Sequence, residues 1–402
     1  MLRRLFILSL LPVAVAFAGP AAEPADVAAG LLQDPKVQQA LEFVRTNEPK
    51  IIEQQIRLTE IPAPPFHEQQ RAEAYKQLFQ QRGLGNVRID GAGNVLGERP
   101  GNKSKPHLVF SAHIDTVFPP ETDVSVERDG TVLKGPGIGD DGRGLAVVLG
   151  VIDALNHAGI ETDGPITFVG TVGEEGLGDL RGVKHLFQKE LKDRIDRFIT
   201  VDGTRHGITN IGVGSYRYRV TFSGPGGHSF GNFGVASPVH ALGRLIAKAS
   251  DFEVSQKPKT TFNVGRIWGG TSVNSIAFEA VFEVDMRSAN KDSLETLHAK
   301  FRKAADEAFE EEKKRWEGKG DLQIKLDLVG DRPPGVTAAS TPEVLASLAV
   351  SKALGLDTKL TEGSNDANVG MWLGIPSLKI GGGGTGTGAH SPGETFDPGF
   401  PL

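Results

Sequence analysis

Apolar positions along the 402-residue chain alternate between two rhythms. Between residues 37 and 58 they recur three and four apart (Val37, Leu41, Val44, then Ile51, Ile52, Ile56), the spacing of one helix face. Residues 67–83 read as a second helix, with Gly83 as terminator. Short β-rich runs follow at 87–89, 94–96 and 107–110, and 145–155 is an apolar helix. Residues 166–172 and 198–201 are almost unbroken apolar runs, as in strands buried on both faces. Buried strand alternating with helix predicts α/β layers with a mixed sheet.

The rhythm changes near Gly212. Residues 216–222 alternate apolar and polar, like a strand with one wet face. A helix over 238–249, strands near 260–267 and 277–285, a long charged helix over 293–316 and a strand over 323–329 complete an α+β module. After Asp331-Arg332-Pro333-Pro334-Gly335 the α/β character resumes, with helices at 342–354 and 367–373 and a strand at 376–380. The expected organisation is a discontinuous catalytic domain, 19–212 and 331–402, interrupted by an inserted domain at 213–330. Residues 19–35, rich in Ala, Pro and Gly, read as a flexible lead-in.

Before that lead-in, Arg3 and Arg4 precede an apolar run to Ala18, ending Ala16-Phe17-Ala18. This is the pattern of a secretory signal peptide over residues 1–18, cleaved after Ala18. The run is broken by Pro12 and is shorter than the ~20 residues of a spanning helix. The expectation is a secreted or periplasmic protein with no stable membrane insertion. A net charge of -6 and the lack of any Lys/Arg block argue against nucleic acid as a partner. With no cysteine, no thiolate serves as nucleophile or ligand. Any metal rests on His and carboxylates, a set suited to Zn, Co or Mn.

Candidate chemistry sits where the apolar strands end. His113 and Asp115 follow the first, and a carboxylate two residues from a metal-binding His is placed to hold its second ring nitrogen. Glu174 and Glu175 follow the run 166–172, and two adjacent acids repel unless cations or protons intervene. Asp202 follows 198–201. Ligands of open α/β sheets bind at the carboxyl ends of the strands, so the three sets share one edge. Asp140 and Asp141 stand in a glycine-rich stretch before a helix, where one acid fits an N-cap and the other a bridge between cations. No Gly-Lys-Ser/Thr ending completes a phosphate loop there. His390, after the glycine run 381–388, supplies a second imidazole.

In order and spacing these motifs resemble the M20 family of metallopeptidases, especially its peptidase T and carboxypeptidase G-like branches, from about Leu58 to Glu394. The resemblance implies a phosphorylase/hydrolase-like catalytic fold carrying a lid and dimerisation domain, hence a homodimer. It implies two divalent ions, zinc before cobalt or manganese. His113 and Asp202 would complete one site, Glu175 and His390 the other, and Asp141 would bridge both. Glu174 would be the general base and Asp115 would orient His113. In the lid, His228 of Gly224-Pro225-Gly226-Gly227-His228-Ser229 would steady the tetrahedral intermediate, and Asn274 and Arg287 would contact substrate. Where the commonest family form has Lys, this chain has Arg143. Asp at position 202 resembles the aminopeptidase and dipeptidase members. The expected activity is therefore exopeptidase action on the amino end of short peptides. A glutamate-type carboxypeptidase and an N-acyl-amino-acid amidohydrolase are the alternatives within the family. Outside it, a periplasmic binding module on a related scaffold would need no general base. A dinuclear phosphoesterase would want an Asp-x-His opening that the chain lacks.

Overall fold

The computed structural model describes residues 23–399, so the expected signal peptide lies outside the described residues. The main sheet has nine strands and is mixed, as the patterning predicts. At its centre Ile166–Thr171, Leu108–His113, Arg197–Val201 and Ser377–Ile380 lie side by side and parallel. Antiparallel strands flank them, Gly85–Ile89 and Val95–Arg99 on one side, Ile208–Gly212 and Gly335–Val336 on the other.

The period of two decides which residues face which layer. Phe168, Ala112 and Val201 point into a core closed by helices Pro35–Thr59, Gln69–Gln81 and Gly142–His157. Their neighbours Val169, Val109 and Phe198 point to the opposite core, with Phe187, Val369 and Met371. All six residues of Ile166–Thr171 are buried, which explains the unbroken apolar run. Burying a side chain such as Phe168 contributes about 1.5–3 kcal/mol.

A second sheet of four antiparallel strands contains Thr260–Gly269, Glu279–Ser288, Gly214–Ser223 and Gln323–Arg332, in that order. Helices Pro238–Ser250 and Lys291–Arg315 cover one face around Phe222, Phe282, Leu245 and Phe301. A third sheet, not expected from the sequence, joins Glu127–Asp129, Val132–Lys134, Thr395–Asp397 and Thr385–Thr387. It brings the C-terminal hairpin beside the stretch that carries Asp140. The lead-in expectation is corrected as well: Pro24–Gln33 is a helix with proline in its first turn, and it packs on helix Pro342–Ala353.

Candidate metal centre

Each of the four central parallel strands leads into a segment that carries a candidate residue. His113 is the last residue of Leu108–His113, Glu174 and Glu175 follow Ile166–Thr171, and Asp202 follows Arg197–Val201. After Ser377–Ile380 the glycine run and the hairpin loop bring in His390, held at φ 65°. The shared edge inferred from three strands is thus built from four.

At that edge His113 Nε2 lies 3.0 Å from Asp140 Oδ1, and His390 Nε2 lies 3.2 Å from Asp140 Oδ2 and 2.9 Å from Glu175 Oε1. His113, Asp140 and Glu175 offer ligand atoms within 4.8 Å of one another. Asp140 therefore stands between the two imidazoles, where the family resemblance placed Asp141. The correction has a physical reason. The Asp141 carboxylate is committed to backbone amides, accepting from His113 (3.1 Å), Gly144 (3.0 Å) and Gly203 (3.2 Å), and it caps helix Gly142–His157. A β-carbon on Gly144 would sit 2.2 Å from that carboxylate, so glycine is required there.

Asp115 also differs from expectation. The second ring nitrogen of His113 bonds the Asp115 backbone carbonyl at 2.9 Å, while the nearer carboxylate oxygen is 3.8 Å away. The strand ends at His113, so its alternation does not extend to residue 115. The carboxylate instead accepts from the Glu174 and Glu175 amides at 3.0 and 2.8 Å. Asp202 lies at the same edge, 4.0 Å from Lys379 Nζ, but outside the tight group.

Electrostatics follow from burial and crowding. Burial pulls the His113 imidazole down, but the bond to Asp140 and the fields of Asp141, Asp140 and Asp115 outweigh it and hold its pKa well above ordinary. His390 is pushed up to about 10 by hydrogen bonds to Asp140 and Glu175. Burial would raise Asp140, yet its bonds to both histidines hold it well below the usual carboxylate range. Glu174 is buried beside the group but not in it. Burial raises its pKa well above ordinary, the Arg332 guanidinium opposes this at 3.2 Å, and Glu175 adds to it.

The donor set fits divalent cations. Two imidazoles and two carboxylates converge from separate elements, and each imidazole lies within hydrogen-bond distance of a carboxylate, the ligand types a divalent cation takes. The other cluster of this kind among the described residues, Asp90, His185 and Glu190, is differently committed. Asp90 accepts from three backbone amides and Glu190 pairs with Arg88.

The residues expected in a lid stand apart. His228 is exposed on the two-residue strand Gly227–His228, paired with Ser275. Its Nδ1 accepts from the Phe230 and Gly231 amides at 3.2 Å each, which leaves Nε2 to carry the proton. Asn274 takes a bond from Ser272 Oγ, and Arg287 Nε donates to Asp285 at 2.6 Å. Among the described residues, no hydrogen bond or ion pair joins these three to the His113 group.

Sequence reading missed Arg332, Arg71 and Glu394. Arg332, 4% exposed, reaches both the carboxylate and the backbone carbonyl of Glu174. Arg71, fully buried, donates to the carbonyls of Thr59, Ile61 and Ile114, beside His113. A charged residue beside Pro333-Pro334 was the available signal for Arg332. For Arg71, in an ordinary polar helix, there was none.

Comparison with known proteins identifies the family. The model of peptidase family M20/M25/M40 matches residues 109–400. The uncharacterized protein YqjE of Bacillus subtilis (strain 168) is 28% identical over 83% of this chain and 90% of its own length. A probable carboxypeptidase of Arthroderma otae is 26% identical over 74% of this chain and 66% of that one. A solved tripeptidase from Staphylococcus aureus shares the fold with a TM-score of 0.70 and 23% identity, covering 88% of this chain and 94% of that one. With the family model matching residues 109–400, most of its length, this chain belongs to peptidase family M20/M25/M40.

Proposed function

We propose that this chain is an exported exopeptidase that removes residues from the amino end of di- or tripeptides, with two divalent cations, zinc first, held by His113, Asp140, Glu175, Asp202 and His390. The observation that carries the reading is the convergence of His113, Asp140, Glu175 and His390 at one sheet edge, with the carboxyl group of Glu174 buried beside them. When bound, the cations supply Lewis acidity, polarising the scissile carbonyl and acidifying the attacking water.

The protein's own groups do the rest. Glu174 takes the proton from the water and returns it to the leaving amine. A carboxyl whose pKa burial has raised is suited to hold a proton between those two steps. Arg332 fixes Glu174 by its carboxylate and its backbone carbonyl, and Asp115 fixes the amides of Glu174 and Glu175. His228, with its proton on Nε2, is the oxyanion donor brought in by the lid, and Asn274 and Arg287 contact the peptide.

Asp202 supports the amino-end reading. Cleavage from the carboxyl end is the second reading, supported by the carboxypeptidase name of the Arthroderma relative and by Arg287, whose guanidinium suits a substrate carboxylate. The apolar run before Ala18 supports export. A Glu174→Gln variant tests the chemistry. It is expected to retain its metal by elemental analysis while kcat falls by at least ~100-fold. Retention of most activity would remove Glu174 from the role of base.

A further inference from the structure

We propose that Glu394 is a positioning residue for the metal centre, holding the backbone that leads into Asp140 so that this carboxylate is set before any cation arrives. The idea rests on the metal-dependent reading above. Glu394 is 2% exposed, and its carboxylate oxygens point at amides rather than at the ligand group. Oε2 accepts from Gly137 at 2.9 Å, and Oε1 accepts from Gly139 at 2.8 Å and from Asp140 at 2.9 Å. Its own carbonyl accepts from Gly135 at 3.0 Å. Four amides between residues 135 and 140 are therefore tied to one side chain and its backbone.

The third sheet makes this clamp rigid. Thr395 pairs with Lys134 and Phe396 with Leu133, which puts Glu394 beside the start of the Asp140 loop. Phe396, fully buried against Leu133, Ile138, Ile52 and Ile56, pins the hairpin from below. The same hairpin loop carries His390, four residues earlier, and His390 meets Asp140 at 3.2 Å. One segment thus fixes Asp140 from its backbone side and its carboxylate side together. A side chain on Gly139 would come within 3.1 Å of Glu394 Oε1, so the close approach depends on glycine there.

A carboxylate is needed because it only accepts. In Glu394→Gln, one terminal atom becomes an NH2 facing an amide N–H, and the donors oppose each other. Groups that orient ligands in this way typically change metal affinity or activity by 10–100-fold when altered.

The test titrates metal-free wild type, E394Q and E394D with Zn2+ by calorimetry and with Co2+ by its visible absorption. E394D keeps the charge but withdraws it by one methylene. Both variants are expected to bind metal ~10- to 100-fold more weakly, with an altered Co2+ spectrum. Their activity should recover as metal concentration rises, which a general loss of structure would not permit. Thr387→Ala, which removes only the 2.9 Å hydroxyl contact with Thr395 in the same hairpin, should bind like wild type. Wild-type affinity and spectrum in folded E394Q would overturn the proposal. If E394Q does not fold, the same result in folded E394D would overturn it. A wild-type protein that binds neither metal would instead overturn the metal-dependent reading, and this inference with it.

Discussion

His113 and His390 show how much of this site is a matter of protons. With Asp140 and Glu175 as neighbours, His390 reaches a pKa of about 10 and His113 stands well above ordinary, so both are protonated at neutral pH when no cation is bound. A metal ligand must be the neutral imidazole, so cations compete with protons. Raising the pH removes the competitor, and affinity should climb from pH 6 towards pH 9. Calorimetry in buffers of different ionisation enthalpy should find about two protons released per fully loaded chain at pH 7.5. Affinity independent of pH, with no proton release, would mean that these imidazoles are not ligands. At this scale the sequence was only partly legible. His113 and Glu175 stand out as residue types at strand ends and His390 rests mainly on the family resemblance, but Asp140 and Asp141 are neighbours with the same chemistry. What separates them is direction, set by the amides of His113, Gly144 and Gly203 that claim Asp141. Gly144 is local, but the His113 and Gly203 amides come from distant parts of the chain.

Among the elements, the four parallel strands were readable because burial on both faces leaves them almost wholly apolar, as in Ile166–Thr171 and Arg197–Val201. The third sheet was not. Its strands are three residues long and contain Gly, Thr, Asp and Lys, a composition that reads as loop. The lead-in helix Pro24–Gln33 was hidden by its Pro and Gly, although its alanines favour helix once it packs on Pro342–Ala353. The third sheet nonetheless holds His390 and Glu394, and Phe396 is its apolar anchor. Phe396→Ala should destabilise the metal-free protein by about 3–5 kcal/mol in urea unfolding and weaken metal binding as the hairpin loosens. A loss below about 1 kcal/mol would mean that the hairpin is held by something other than this contact.

Across the whole molecule, one feature bears on assembly. The outer edge of Thr260–Gly269 pairs with no strand among the described residues, and Ile267 and Trp268 are exposed there, at 59% and 39%. Such an edge invites a second copy, in keeping with the expected lid-mediated homodimer. Sedimentation should show a dimer for wild type and a folded monomer for Ile267→Lys, and a monomeric wild type would dismiss the lid interface. The chain is a hydrolase of the M20/M25/M40 peptidase family, and metal-dependent cleavage of short peptides is the central claim. Its most direct test is digestion of a mixed library of free-amine di- and tripeptides, read by mass spectrometry, by protein stripped with chelator and then resupplied with Zn2+. The account predicts loss of amino-terminal residues with metal and none without it. Loss from the carboxyl end alone would reverse the direction of attack, and cleavage that persists undiminished in the stripped protein would contradict the account.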